Sequence, residues 1–578
     1  MITFSLNQIP FSLAGSFLTI TTRPNTHRLL YRTCSHRAIT EKDMPFSANE
    51  FFEISLNREG IDIPYSYTAQ PHRLDLQAEG GGRATLAFAD TETLVFETEG
   101  VTLRLLPCKP FAAEFTPAAG QVCLVDLAGR GIHHLYAAEG SELKMTASPP
   151  THAGAYLFQD TPRSVEFLGC QGAIRFIRYE DRWEKTPLNL EGVIHAREKE
   201  FNRWQKHIPT VPDTYQLAAE MAWFLLWNNR VPVSGSVTRP AIYMSKSWMN
   251  AIWAWDNCFN ALAIAPADPE MAWNQLLLFF DHQDPQGMVP DRITDLEPIY
   301  CFTKPPIHGW TIRKLVNQIG LKKSIPYLEE LYKPLSRLTD WWYTYRDFDR
   351  DGMCQYHHGN DSGWDNATTF EQGFLTEGAD LAAHLVLQSE GLSYMAEVLD
   401  KKVAALRWQK RAEWQLKDLL KQGVKNNRFF SSFDGQENPP EPSASLINYI
   451  PMILGHRLPK RIRNAIIADL GPSGPFLTEH GLATEAPQSP KYQSDGYWRG
   501  PIWAPSTYMI FDGLLDVHET QLARTIAERF CNMFSKDPVS WENFDALTGQ
   551  GLRCPGYSWT AAVFLLLAGW LAEQPKNS

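Results

Sequence analysis

Five segments in the second half of the chain combine indoles with carboxylates, glycines or both: SWMNAIWAWDNCFN (247–260), TKPPIHGW (303–310), HHGNDSGWDN (357–366), SDGYWRGPIWAP (494–505) and SWENFDALTGQG (540–551). These residue types suit carbohydrate chemistry. An indole face stacks on the C–H face of a sugar ring, while carboxylates, amides and cations take its hydroxyls. Breaking a glycosidic bond also needs two carboxyl groups in different protonation states, one donating to the leaving oxygen and one activating water. A single Trp–Asp pair in a loop ordinarily pins that loop and caps a helix. Five such segments within one half of the chain exceed that purpose.

The composition narrows the classes. Nineteen tryptophans are more than packing requires, because an indole is costly to bury completely. A formal charge of -11 without any basic run excludes a nucleic-acid partner as the expectation. Nine scattered cysteines with no CxxC fit reduced thiols, and neither His133–His134 nor His357–His358 has a third ligand for zinc. The start, MITFSLNQIPFSLAG, lacks a basic region ahead of its apolar residues and is read as part of the fold. No apolar run reaches membrane-spanning length, so the expected location is cytoplasmic with no membrane partner.

The elements that position these segments fall into two grammars. Residues 1–205 carry short alternating runs such as ATLAFAD, VTLRLLP and AIRFIRYE between glycine and polar turns, which predicts an N-terminal antiparallel β-sandwich. The charged, then proline-punctuated run at 182–214 predicts a linking helix and a boundary. From 206 to 578 the apolar residues recur at i, i+3, i+4 and i+7, as in PEMAWNQLLLFFDH, GADLAAHLVLQSEGL and YSWTAAVFLLLAGWLAE. Asp268–Pro269 is a good cap and first-turn pair. About a dozen such helices, with short links alternating with long loops and no fixed repeat, predict a closed α/α barrel rather than an open solenoid. The long loops then meet at one end, and they are the ones that hold the five segments.

Taken in order, these segments resemble glycoside hydrolase family 63, whose (α/α)6-barrel glycosidases share a clan with the trehalases. The resemblance runs from about Trp253 to Trp559. Asp365 in SGWDN stands where that family has its catalytic acid, Glu542 in WENFDALTGQG stands where it has its base, and YWRGPIW (497–503) is close to the family's own wording. The resemblance implies an inverting exo-glycosidase that cleaves an α-glucosidic bond in a short oligosaccharide or small glucosylated compound. A trehalase-, mannosylglycerate hydrolase- or α-rhamnosidase-like activity is the alternative, and a non-catalytic sugar-binding barrel a further one.

Around the two acids, the resemblance places Trp253, Asp256, Trp310, Trp364, Trp498, Arg499 and Trp503 in or near the pocket. Asp256 is expected to take sugar hydroxyls, or else to pair with Arg499. Lys304 and His308 are expected to reach a leaving group, with Lys304 suiting an anionic one. Asp361 stands where the family has a glutamate and is expected beside the acid or on a sugar hydroxyl; Ala367 replaces the family's usual serine. Trp364 is expected to shelter Asp365 from water and so keep it protonated. No cofactor is expected. DFDRDGM (347–353) has calcium-loop spacing at Asp347, Asp349 and Asp351 but lacks the closing glutamate, so it reads as an acidic turn that forms without metal or as a site for a structural calcium.

Overall fold

A computed structural model describes residues 2–23, 26, 28–38, 47–147, 163–178, 186–373, 375–433 and 443–575. The alternation read in the N-terminal part becomes two antiparallel sheets. One runs in the order Leu18–Thr22, Leu29–Thr33, Glu50–Arg58, Thr102–Pro107, Arg163–Phe167, Leu143–Ala147, with Ile61–Ile63 hooked onto Glu50–Arg58. The other runs Ala113–Phe115, Gln121–Asp126, Gly131–Ala137, Gln171–Arg178, Thr93–Glu99, Arg83–Phe88, Arg73–Ala78, Tyr65–Gln70. Leu103 and Leu105, two apart on one strand, are both fully buried, as the period of two requires. Rings from opposite sheets meet across the core: Phe96 is 4.8 Å from Phe167, and Phe51 is 5.0 Å from Phe176. The region is therefore a sandwich.

The last of these strands ends at Arg178, and helix α1 spans Leu190–Gln205, capped by the Asn189 side chain on the Gly192 amide. Residues 182–185 of the charged linking run lie outside the described residues. At its end α1 meets α2 (Gln216–Asn228) through a reciprocal clasp. The indoles of Trp204 and Trp223 stack at 4.3 Å, and each ring N–H donates to the other residue's backbone carbonyl at 2.9 Å.

Among the described residues ten further α-helices follow: α3 (Asp256–Ile264), α4 (Pro269–Asp281), α5 (His308–Ile319), α6 (Leu321–Tyr345), α7 (Ala379–Val398), α8 (Lys402–Gln422), α9 (Lys460–Leu470), α10 (Ala504–Asp516), α11 (Thr520–Lys536) and α12 (Ser558–Glu573). The Asp268 side chain caps α4 on the Met271 amide at 3.1 Å with Pro269 in the first turn. A kinked helical segment at Leu446–Arg457 carries Pro451 and turns at Gly455. Helices α3, α5, α7, this kinked segment, α10 and α12 pack side to side and return to α3, forming a closed inner ring. The others cover it from outside, so with α2 and the kinked segment the described residues hold twelve barrel helices in two layers. Helix α12 is apolar on nearly every face, with nearly every residue from Ser558 to Ala568 buried. The chain is thus an N-terminal sheet region followed by an (α/α)6 barrel.

The two parts are joined through more than the linker. Phe4 sits 4.8 Å from Phe224 of α2, the Asn228 amide donates to the Pro10 carbonyl, and Lys246 reaches back to Ser12 Oγ at 3.0 Å and the Leu13 carbonyl at 3.1 Å. Among the described residues, no helix is long and apolar enough to cross a membrane, and all nine cysteines are free thiols.

Candidate active site

The inner helices begin where the acid–indole segments end, so helix starts and the loops before them converge at one end of the barrel. Asp256 is the first residue of α3, and α10 starts directly after Trp503. Between them Ile252–Trp253, Arg292–Ile293 and Pro298–Ile299 pair as a small antiparallel sheet along the wall. Together they enclose a cavity of about 460 Å³, within the range of small-ligand sites. Asp365 and Glu542, 177 residues apart in sequence, both face it.

Asp365 is delivered by a tight loop. Gly363 holds a left-handed φ of 73°, and a Cβ there would collide with the Trp255 ring, so glycine is required twice over. The next side chain, Asn366, clamps this loop to the YWRGPIW loop: its amide donates to the Gly496 carbonyl at 3.0 Å, and its Oδ1 accepts the Trp498 amide at 3.0 Å. Burial raises the Asp365 pKa; Lys304 opposes the shift and Asp291 adds to it.

Glu542 opens a short hairpin of Asn543–Phe544 with Gly551–Leu552. Its Oε1 accepts the Tyr497 hydroxyl at 3.1 Å and its Oε2 the Cys554 amide at 3.3 Å. Burial pushes its pKa up to about 7, against these two donors. Tyr497, Ser540 and Arg553 all hold positive φ (64°, 62° and 68°), so left-handed backbone clusters around this acid. Asp256, buried at the start of α3, is pushed well above the carboxylate range by burial and pairs with no cation among the described residues. Arg499, its expected partner, binds Glu371 at 2.5 Å and the Asn366 carbonyl at 2.7 Å instead.

Trp253, Asp256, Lys304, Trp498 and Trp503 also line the cavity. Trp498 and Trp503 stack at 4.0 Å, and Trp364 lies 4.6 Å from Trp498, behind the wall rather than in it. The shelter expected of Trp364 is therefore indirect. Lys304 is held by Asp291 at 3.0 Å and donates to the Asn360 carbonyl at 2.6 Å. Arg499, like Trp364, is absent from the cavity lining, and three further expectations need correction. His308 is buried against Phe280, outside the cavity, with neither ring nitrogen bonded among the described residues, and burial lowers its pKa to about 4. Trp310 turns the other way and donates its ring N–H to Asp512 at 2.8 Å. Asp361 is occupied entirely by the fold: it accepts the amides of Thr303, His357 and His358 and the Arg346 guanidinium at 3.0 Å. Burial would raise its pKa, but Arg346 and those amides hold it below the usual range.

Several lining residues were not singled out from the sequence. Asp291, Arg292 and Trp559 lie between or beside the recognised segments, His36 comes from the sheet region, and Tyr497 joins them in the lining. Only Tyr497 stood inside a recognised motif.

The carboxylate oxygens of Asp347, Asp349 and Asp351 lie within 4.8 Å of one another, and Asp347 Oδ1 has no donor among the described residues. Burial and the neighbouring acids raise the pKa of Asp347. Hard oxygen ligands crowded in this way fit a calcium ion.

Residues 249–560 match the family described as "Mannosylglycerate hydrolase MGH1-like glycoside hydrolase domain". The mannosylglycerate hydrolase of Thermus thermophilus is 23% identical over 391 residues, which is 54% of this chain and 93% of that protein. A crystal structure of the GH63 mannosylglycerate hydrolase from Thermus thermophilus with Tris and D-glycerate superposes with a TM-score of 0.52 at 22% identity, covering 61% of this chain and 99% of that one. The neutral trehalase Nth1 of Saccharomyces cerevisiae superposes at 0.50 and 14% identity, over 58% and 74%. This chain therefore belongs to the mannosylglycerate hydrolase MGH1-like family within glycoside hydrolase family 63, and it is a glycoside hydrolase.

Proposed function

We propose that this glycoside hydrolase is an inverting, exo-acting enzyme that removes one glucose from a short oligosaccharide or small α-glucosylated compound, with Asp365 as general acid and Glu542 as general base. The observation that supports it is that a half-buried and a buried carboxyl, Asp365 and Glu542, neither bonded to a cation among the described residues, face one cavity. The acid needs a raised pKa to arrive protonated, and burial supplies it. The base works best when poised near the operating pH, and about 7 is such a value. Tyr497 and the Cys554 amide orient the Glu542 carboxylate while leaving it lone pairs for a water. Inversion requires that water to fit between the carboxyls, about 6.5–9.5 Å apart. Asp256, kept neutral, is a hydroxyl donor to the sugar, and the indoles of Trp253, Trp498 and Trp503 offer it apolar faces.

A second reading, a glycerate glycoside as substrate, is favoured by charge. Arg292 and Lys304 share the carboxylate of Asp291, at 3.6 and 3.0 Å, and both line the cavity, so two cations stand where an anionic leaving group could be met. The related proteins named above as mannosylglycerate hydrolases support it. NMR detection of the released sugar from α-linked disaccharides, α-glucosylglycerate and α-mannosylglycerate separates the readings. Release of β-glucose from α-glucosides is the expected result. Release of the α-anomer would remove inversion, and cleavage of the mannosyl compound alone would transfer the assignment to the second reading. The proposal includes a structural calcium at Asp347, Asp349 and Asp351; addition of a chelator then lowers the melting temperature, and an unchanged melt would remove the ion.

A further inference from the structure

The cavity mouth is built partly by residues outside the family match, which begins at residue 249. The connection runs through Asp295, a buried carboxylate on the hairpin that carries Arg292 and Ile299. It accepts the Ser35 hydroxyl, the His36 amide at 2.7 Å and the Tyr243 hydroxyl at 3.3 Å, with Arg178 of the sheet region at 3.9 Å. The segment after the Leu29–Thr33 strand is thereby fixed onto the barrel wall, and His36 is placed at the rim. His36 Nε2 lies 2.6 Å from the Asn250 carbonyl, which can only accept, so Nε2 carries the hydrogen. Its Nδ1 is left without a partner among the described residues, available to a hydroxyl.

Trp248 stands on the same rim. Its loop is closed by its own backbone, with the Met244 amide on the Ala251 carbonyl at 2.9 Å and the Ser245 amide on the Met249 carbonyl at 3.1 Å. The indole is 56% exposed while lining the cavity, with no ring contact among the described residues. A rigid loop that holds out an indole at a sugar cavity offers a stacking face at little ordering cost.

We propose that the sheet region and the barrel jointly form a leaving-group subsite, in which Trp248 stacks on a pyranose ring and His36 bonds one of its hydroxyls. This rests on the glycosidase reading, deepens it toward a ring-shaped leaving group, and makes the sheet region a determinant of specificity. Calorimetric titration of the full chain carrying Asp365→Asn, which keeps substrates intact, tests it with glucose, maltose and trehalose as probes. At least one disaccharide is expected to bind about tenfold more tightly than glucose. His36→Ala and Trp248→Ala should each reduce that advantage with glucose affinity unchanged, and Trp248→Phe should retain most of it. Both side chains are exposed, so a normal melt in each variant secures the comparison. Equal affinities for all three sugars, or a disaccharide advantage that survives both substitutions, would overturn the subsite. If a disaccharide binds as expected but the parent chain releases no glucose from it, the subsite stands and the hydrolysis of such substrates falls.

Discussion

At the loop end of the barrel, Asp256 and Glu542 are buried and Asp365 is half-buried, with no cation bonded to any of them among the described residues. Further along α5, α7 and α10 a second cavity of about 380 Å³ is also lined by acids, yet each has a base. Glu390 receives two bonds from Arg457 at 2.6 Å, Asp512 receives Lys314 together with the Trp310 ring, and Asp516 receives His456 at 2.6 Å. The same residue types thus serve two ends. Where a carboxylate is paired, its free energy is spent on holding helices together; where it is left unpaired in a dry site, its pKa rises to where a proton can be given or taken.

The largest expected effect separates the two cavities by activity. Asp365→Asn or Glu542→Gln should lower the hydrolysis rate by roughly 10²–10⁴-fold, read from released sugar, whereas Asp512→Asn should leave the rate per folded molecule near that of the parent. Loss of activity in the last variant alone would invert the comparison. Next comes stability against pH. Glu542 holds its proton to about 7 when folded and releases it near 4.5 when unfolded, so its contribution to stability is lost as pH rises between these values. Glu542→Gln should therefore exceed the parent in denaturant stability at pH 8 by about 3 kcal/mol and match it near pH 4. In the paired cavity the sign is opposite: Glu390→Gln should cost about 1–3 kcal/mol at neutral pH, because Arg457 loses its charged acceptor. The smallest effect is on the rate profile. Tyr497 donates to Glu542 and holds its pKa down, so Tyr497→Phe should move the acidic limb of kcat/KM to higher pH, by under about one pH unit.

The sequence was most readable where one physical rule acted alone. Alternation marked the sandwich strands, helical spacing marked the barrel, and the Asp268–Pro269 cap starts α4 as its chemistry requires. The segment at Leu446–Arg457 escaped because Pro451 and Gly455 break the spacing on which such a reading depends. Acid–indole spacing led to the loops that meet at the cavity, but it could not tell which side chains would be satisfied there. Asp361 and Asp365 stand four apart in one loop. Three amides and an arginine consume the first and leave the second bare, and those donors come from Thr303 and Arg346 as well as from the loop itself. Trp310 and His308 misled for a similar reason: α5 starts at the site, but one helical turn carries its side chains elsewhere. His36 carried no signal at all, since its place depends on a carboxylate 259 residues away.

The clasp between Trp204 and Trp223 bears on how this protein can be cut for engineering. A barrel excised at residue 206 would lose one indole of the pair, leave the Trp223 ring N–H without its acceptor and uncover the face of α2 that α1 protects. The smallest fragment that keeps the clasp intact starts ahead of Asn189, the α1 cap. Grafting another sheet region onto this barrel is then best done upstream of that asparagine, where the junction leaves both indoles in their original register.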